Sequence, residues 1–283
     1  MTIELVTDST CDLPPGLPEK HNIHIVPVNI QFGAETYREN VTLSAEEFYR
    51  RIEAEGVLPQ TSQPSVGEFA EAYRALAGEG VEIISAHVTA KLSGTYQSAC
   101  LAAERVAGEV KVHVIDGMAG SAALGWMMVE ASRLRSEGWP AAKIAARLKA
   151  QCPRITIYFA VDDLKFARMS GRVGKLAGVI GSVLNIKPII KLEDGLLDVC
   201  DRVRSRKAAV RRILDLTRDH VGDSPVRVGV VHAQAPHRAA ALLAEARRAL
   251  NVREAFATDV AISLAVHFGP GTLGLITYPA ADR

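Results

Sequence analysis

The sequence predicts an α/β protein of two domains: an N-terminal α/β domain with a parallel sheet over residues 1–152, and a C-terminal α+β domain with a mainly antiparallel sheet over residues 153–283. Three observations carry this expectation. Through about residue 150, short apolar runs alternate with helical patterns, as in a parallel sheet flanked by helices. After Cys152-Pro153 the grammar changes, and two apolar runs flank Glu193-Asp194-Gly195 as in an antiparallel hairpin. The length of 283 residues fits two domains of roughly 100–200 residues each.

Taken in order, strands are expected at 3–7, 24–30, 81–88 and 111–115. Ser44-Ala45-Glu46-Glu47 and Ser65-Val66-Gly67-Glu68 both fit the S-x-x-E capping box, in which hydroxyl and carboxylate satisfy free amides at a helix start. A third helix follows Leu92-Ser93-Gly94-Thr95 and runs to about residue 106; a fourth covers about 119–137. Pro140 opens another at about 140–150, since proline suits the first helical turn. In the second half, strands are expected at 154–161, 186–192, 196–203, 226–232 and 273–278, with helices at about 205–221 and 236–250 covering one face.

Composition narrows the function. The chain carries 33 Lys+Arg against 32 Asp+Glu, a formal charge of +1, which argues against a nucleic-acid binder because such affinity comes largely from neutralised phosphates. Hydrophobic residues are 48% but aromatics only 5%, with 41 alanines, so the interior is expected to be aliphatic. Cys11, Cys100, Cys152 and Cys200 show no C-x-x-C spacing and read as reduced thiols of a cytoplasmic protein. The N-terminus has neither a basic n-region nor a sustained apolar run, and no stretch reaches the ~18 apolar residues of a membrane span. No metal site or cofactor is expected.

Four polar clusters are candidate sites. Thr7-Asp8-Ser9-Thr10-Cys11-Asp12 ends the first strand, where ligands bind in open parallel sheets, or is a polar turn bonding its own backbone. Gln60-Thr61-Ser62-Gln63-Pro64-Ser65 reads as a loop whose hydroxyls either donate to an anion or are solvated. Lys91-Leu92-Ser93-Gly94-Thr95 opens a helix, where free amides and the helix dipole favour a carboxylate or phosphate; simple N-capping by Ser93 is the alternative. It is neither a Walker loop nor a nucleophile elbow, because G-x-x-x-x-G-K-[ST] and G-x-S-x-G are both missing. His267-Phe268-Gly269-Pro270-Gly271-Thr272-Leu273-Gly274 matches G-x-G-x-x-G by letter but leads into a strand, so a dinucleotide fingerprint is rejected. His267 is then either a buried hydrogen-bonded imidazole or a donor to an anion. Two basic stretches, around Lys165, Arg168, Arg172 and Lys175 and over Arg202, Arg204, Arg206 and Lys207 continuing to Arg211 and Arg212, are either solvated faces or docking surfaces for an acidic partner or a phosphate.

Together and in this order, six segments resemble the DegV family of bacterial fatty-acid-binding proteins. They are Val6-Thr7-Asp8-Ser9-Thr10-Cys11-Asp12-Leu13-Pro14, Thr61-Ser62-Gln63-Pro64-Ser65, Leu92-Ser93-Gly94-Thr95-Tyr96-Gln97-Ser98-Ala99, Ser170-Gly171-Arg172, Ile186-Lys187-Pro188-Ile189-Ile190 with Asp194-Gly195, and His267-Phe268-Gly269-Pro270-Gly271-Thr272. Phe268 departs from the pattern, standing where the family more often has a small polar residue. The resemblance implies a long-chain fatty acid such as palmitate held between the two domains, with its carboxylate near Thr61, Ser62, Ser93, Gly94, Thr95 and His267. It also implies a non-catalytic protein that presents the fatty acid to a separate ATP-binding fatty acid kinase subunit. The basic stretches suggest partner docking at Arg172, Arg202 and Arg204, and transient membrane-surface contact is expected for lipid exchange. The alternative is an autonomous hydrolase of a lipid-like ester, using Ser93 or Ser9 as nucleophile, His267 as base and Asp8 as orienter.

Overall fold

The computed structural model describes residues 2–56, 58–162, 165–171 and 186–280. The first half runs β1 (Thr2–Asp8), α1 (Leu17–Lys20), β2 (Ile23–Val26), β3 (Asn29–Phe32), β4 (Glu35–Arg38), α2 (Ala45–Glu55), β5 (Gln60–Ser62), α3 (Val66–Leu76), β6 (Val81–His87), α4 (Thr95–Arg105), β7 (Lys111–Asp116), α5 (Ala122–Ser136) and α6 (Ala141–Gln151). Among the described residues, β2-β1-β6-β7 form a parallel sheet, as the alternating sequence pattern predicted. It is covered on both faces, which is why its strands read as continuous apolar runs. Val6 and Ile83 pack with Phe69, Tyr73, Ala99 and Ala102 of α3 and α4. Leu5 and Ile84 face the other way, onto Leu124, Met127, Ile144 and Leu148 of α5 and α6.

The strand expected at 24–30 is instead two strands in two sheets. Val26 ends β2, and Pro27, which has no amide to give a ladder, marks the crossing to β3 in a small antiparallel sheet ordered β4-β3-β5. The capping boxes differ. Ser65 makes the full box, its hydroxyl accepting from Glu68 N and its amide donating to the Glu68 carboxylate at 2.7 Å. Ser44 caps α2 with its hydroxyl, but the Glu47 carboxylate turns to Arg50 at 2.6 Å, leaving half a box. Pro140 sits one place before the first turn, as the extended N-cap of α6.

The second half continues β8 (Thr156–Ala160), α7 (Lys165–Met169), β9 (Lys187–Glu193), β10 (Leu196–Val203), α8 (Arg206–Val221), β11 (Val226–His232), α9 (Pro236–Ala249), β12 (Val252–Asp259), α10 (Ile262–Phe268) and β13 (Leu273–Pro279). The strands order as β10-β9-β8-β13-β11-β12, antiparallel throughout except for β11 with β12. The expected hairpin is present: Asp194 (φ 50°) and Gly195 (φ 73°) both take the left-handed conformation that a tight two-residue turn requires. Ile213, Leu242 and Ala246 of α8 and α9 pack on Val228, Val230 and Leu275, covering one face. The opposite face, with Phe159, Ile190, Val231 and Ile276, turns towards the first half of the chain.

Helix α5 joins the two halves. Its residues from Ala122 to Ser132 are all buried, so it lacks the polar stripe of a surface helix. One side meets Leu5 and Ile84, and another meets β11 through Gly229, where a Cβ would come within 2.4 Å of the Ala122 Cβ. Trp126 stacks on Phe256 of β12 at 4.8 Å, and Glu130 binds Arg227 of β11 at 2.7 Å with both side chains 6% exposed. Among the described residues, no helix is long and apolar enough to cross a membrane.

Candidate ligand-binding site

The loops that leave the carboxyl end of the parallel sheet, where such sheets place ligands, lie over the inner face of the six-stranded sheet. Between them is a cavity lined mostly by apolar side chains, the kind of concave site in which small molecules bind. Val88 and Leu92 follow β6, Ile157 and Phe159 come from β8, Leu192 and Leu197 from the hairpin, and Leu264 and Phe268 from α10. Among the described residues no charged side chain lines it, and Phe159 and Phe268 are its aromatic members, meeting edge to face at 4.7 Å. Its wall is therefore an aliphatic surface, suited to an alkyl chain.

Polar groups gather next to the chain positions that border this cavity. Leu92 is followed by Ser93, and Phe268 is preceded by His267. Thr61 Oγ1 lies 3.3 Å from His267 Nε2, which joins residues 206 positions apart. Contrary to the loop expected at 60–65, Thr61 is on a strand, β5, opposite Ile30 of β3. Neighbours on a strand point to opposite faces, so the half-buried Ser62 turns away from the side that Thr61 shares with His267. Ser93 Oγ is 2.8 Å from Thr95 Oγ1 and accepts from Thr95 N at 3.3 Å, leaving Gly94 as the N-cap of α4 with no side-chain cap. Gly94 also lets the β5–α3 loop approach: a Cβ there would come within 2.8 Å of Gln63 Nε2. Thr61, His267 and the start of α4 are thus linked through β5.

The Asp8 cluster turns out to hold the architecture together. Asp8 accepts from Val88 N at 3.0 Å and Thr10 Oγ1 at 2.5 Å and meets His87 Nδ1 at 3.1 Å; His87 Nε2 continues to Ser85 Oγ at 2.7 Å and Ser85 to Tyr73 at 2.9 Å. All of these side chains are buried. Burial alone would raise the Asp8 carboxyl, but the hydrogen bond and attraction of His87 prevail and hold it below the ordinary aspartate range. Ser9 Oγ accepts from Val28 N at 2.9 Å and donates to Glu39. The alternative hydrolase arrangement loses its orienter and one of its two nucleophiles: Asp8 meets His87, and the Ser9 hydroxyl is committed to Glu39.

Two buried carboxyls, Asp12 of the first polar cluster and Glu39, which the sequence does not single out, fix α10, the helix bearing His267. Asp12 accepts from Ser121 Oγ at 2.5 Å and Ala261 N at 2.7 Å; Glu39 accepts from Ser263 N at 2.9 Å and Ser263 Oγ at 2.7 Å. Burial pushes Asp12 up to about 8 and Glu39 up to about 7, against the opposing pull of these hydrogen bonds. Of the basic stretch, Arg202 and Arg204 are exposed, whereas Arg206 is paired with Asp162 and Arg212 with Asp201. Arg172 lies outside the described residues.

Over residues 2–280 the sequence matches the family described as "Uncharacterised protein, DegV family". The chain belongs to the DegV family. A DegV domain-containing protein of Halalkalibacterium halodurans is 36% identical over 284 residues, covering 98% of each chain. A DegV-family structure from Thermus thermophilus, described as fatty acid binding, superposes with a TM-score of 0.92 at 34% identity, covering 99% of this chain and 100% of that one. A fatty-acid (stearic acid)-binding protein from Eubacterium ventriosum superposes with a TM-score of 0.91 at 26% identity, covering 99% and 98%. The family resemblance carried by the six sequence segments is thereby confirmed along nearly the whole DegV chain, and so is the α/β architecture.

Proposed function

We propose that this protein binds a long-chain fatty acid, burying the acyl chain in the apolar cavity and holding the carboxylate at Thr61, Ser93, the start of α4 and His267. The observation that carries this is an uncharged aliphatic cavity whose bordering residues are followed or preceded by hydroxyl and imidazole groups. Burying a sixteen-carbon tail at ~0.8 kcal/mol per methylene yields on the order of 12 kcal/mol gross, less the cost of ordering the chain. The tail supplies affinity, while the head group needs donors because an unpaired buried carboxylate is very costly. The Thermus thermophilus and Eubacterium ventriosum relatives, described as fatty-acid binders, support the same reading.

The finer role is presentation. Neutral donors hold the carboxylate without covering both oxygens as a bidentate arginine would, which leaves one for a phosphoryl donor. The chain has no phosphate loop, so ATP chemistry belongs to a separate kinase subunit, docking through Arg172, Arg202 and Arg204. In this reading the protein is a non-catalytic cytoplasmic carrier that takes up lipid through transient contact with a membrane surface, its ligand lying between a first domain of residues 1–152 and a second of 153–283. Denaturing extraction of natively purified protein, followed by mass spectrometry, is expected to release long-chain fatty acid in near-stoichiometric amount. Protein that emerges lipid-free and takes up no fatty acid added in solution overturns the proposal.

A further inference from the structure

We infer that the cross-strand pair Ile157 and Leu192 is the stop that sets acyl chain length in this protein, an inference that rests on the fatty-acid reading above. The two residues are register partners on β8 and β9. Both line the apolar cavity, and both also line a second space beside it. The division is shared by the loop before α5, which gives Gly120 and Ser121 to the first space and Met118 and Ala119 to the second. The second space also takes Tyr158, Lys191 and His220 from the other side of the sheet, so it opens at the sheet's end, and this pair is part of the wall between it and the apolar cavity.

The pair stands at the end of the cavity away from the head group. Phe159 touches Phe268, the residue after His267, at 4.7 Å between ring centroids. Ile157 lies two residues back on the same face of β8, roughly 7 Å further along the strand. An acyl chain that enters with its carboxylate at His267 and Thr61 thus passes Phe159 before it meets Ile157 and Leu192. Beyond them the lining changes character: Lys191, Glu193, Asp194 and His220 stand among Met118, Ala119 and Ile155. A methyl end pushed past the stop leaves an uncharged cavity for a charged one and loses the return on burying its last carbons. The selectivity comes from two aliphatic side chains and the polarity behind them.

The test uses the full-length protein and competition among saturated fatty acids of fourteen to twenty carbons, read by mass spectrometry of the bound fraction. Ile157→Ala joins the two spaces, and each methylene newly accommodated is worth about fourfold in affinity. The preference for a chain two carbons longer over the one the wild type favours is expected to rise on the order of tenfold. Leu192→Phe fills the end of the cavity, which moves the preference towards shorter chains, and it decides the matter if Ile157→Ala folds poorly. Folded variants that bind fatty acid with the chain-length profile of the wild type overturn the stop while leaving fatty-acid binding intact. A wild type that binds none of the series overturns the underlying reading, and the stop with it.

Discussion

Thr61 and His267 meet across 3.3 Å, and in the proposed binding mode a carboxylate takes its hydrogen bonds from these two groups and from Ser93. Thr61→Val keeps the shape and removes the hydroxyl; Ser93→Ala does the same at the start of α4. Each loses one hydrogen bond to a charged group, so fatty-acid affinity should fall by ~1–3 kcal/mol, about 5- to 150-fold. Thr61→Ser, which keeps the hydroxyl, should recover most of the loss. Displacement of a fluorescent fatty acid measures all three, and unchanged affinity in both deletion variants would remove these residues from the head-group site. The hydroxyls were legible in the sequence because their signal is local, Ser and Thr beside a glycine or a helix start. Their arrangement was not. The residues that orient His267 are Asp12 and Glu39, whose partners Ala261 and Ser263 lie 249 and 224 positions away, and nothing in Arg38-Glu39-Asn40 distinguishes a buried clamp from a solvated turn. The pairing of Asp8 with His87, 79 positions away, is hidden from the sequence for the same reason.

At the scale of elements, α5 is the piece that two sheets compete to bury, and Gly125 is where it is pressed hardest. A Cβ at Gly125 would lie 2.4 Å from the Cys11 carbonyl oxygen and 2.8 Å from Leu13 Cδ2. On an exposed helix Gly→Ala stabilises by about 1 kcal/mol. Here the obstacle is backbone, in the short turn that also positions Asp12, and overpacking of this kind costs typically 1–3 kcal/mol. The clash should win: Gly125→Ala is expected to lower the melting temperature by about 2–4 °C, the shift that ~1 kcal/mol produces in a chain of this size. A higher melting temperature by calorimetry would show that the turn yields freely. Elements buried on defined faces were readable, as with β1, β6, the β9–β10 hairpin and the helices α8 and α9. Those missed have physical reasons. Edge strand β12 carries Arg253 and Glu254 and is only partly buried, so it reads as a loop. Helix α10, at seven residues, is too short to show a helical period. The break between β2 and β3 at Pro27 divides what reads as one apolar run between two sheets.

For the whole molecule, the buried carboxyls set how stability depends on pH, and the sign follows from where the protons sit. Unfolded, the carboxyls of Asp12 and Glu39 titrate near their ordinary values of 3.8 and 4.5; folded, burial holds their protons up to about 8 and about 7. Between those limits the folded chain binds more protons than the unfolded one, so stability falls as pH rises. The contribution is fully present below about pH 4 and is lost through the folded values. Asp8 acts in the opposite sense: its lowered carboxyl contributes above the ordinary value, and that contribution disappears as pH falls through the depressed one. The maximum should therefore lie on the acid side of neutrality, with a decline on the order of 1 kcal/mol per pH unit for each of the two groups over the range where it applies. Because Asp12 and Glu39 hold the first residues of α10, ionising them strains the tie between the turn after β1 and the helix that carries His267. Asp12→Asn and Glu39→Gln keep a neutral acceptor at each place, and the left-handed backbone of residue 12 tolerates asparagine. Calorimetry from pH 5 to pH 8.5 should show a falling melting temperature in the wild type and a shallower fall in either variant, with fatty-acid affinity declining in step. A wild-type melting temperature that stays level or climbs over that range would mean that the two buried carboxyls are ionised in the folded protein and that α10 is held by charge instead of by neutral hydrogen bonds.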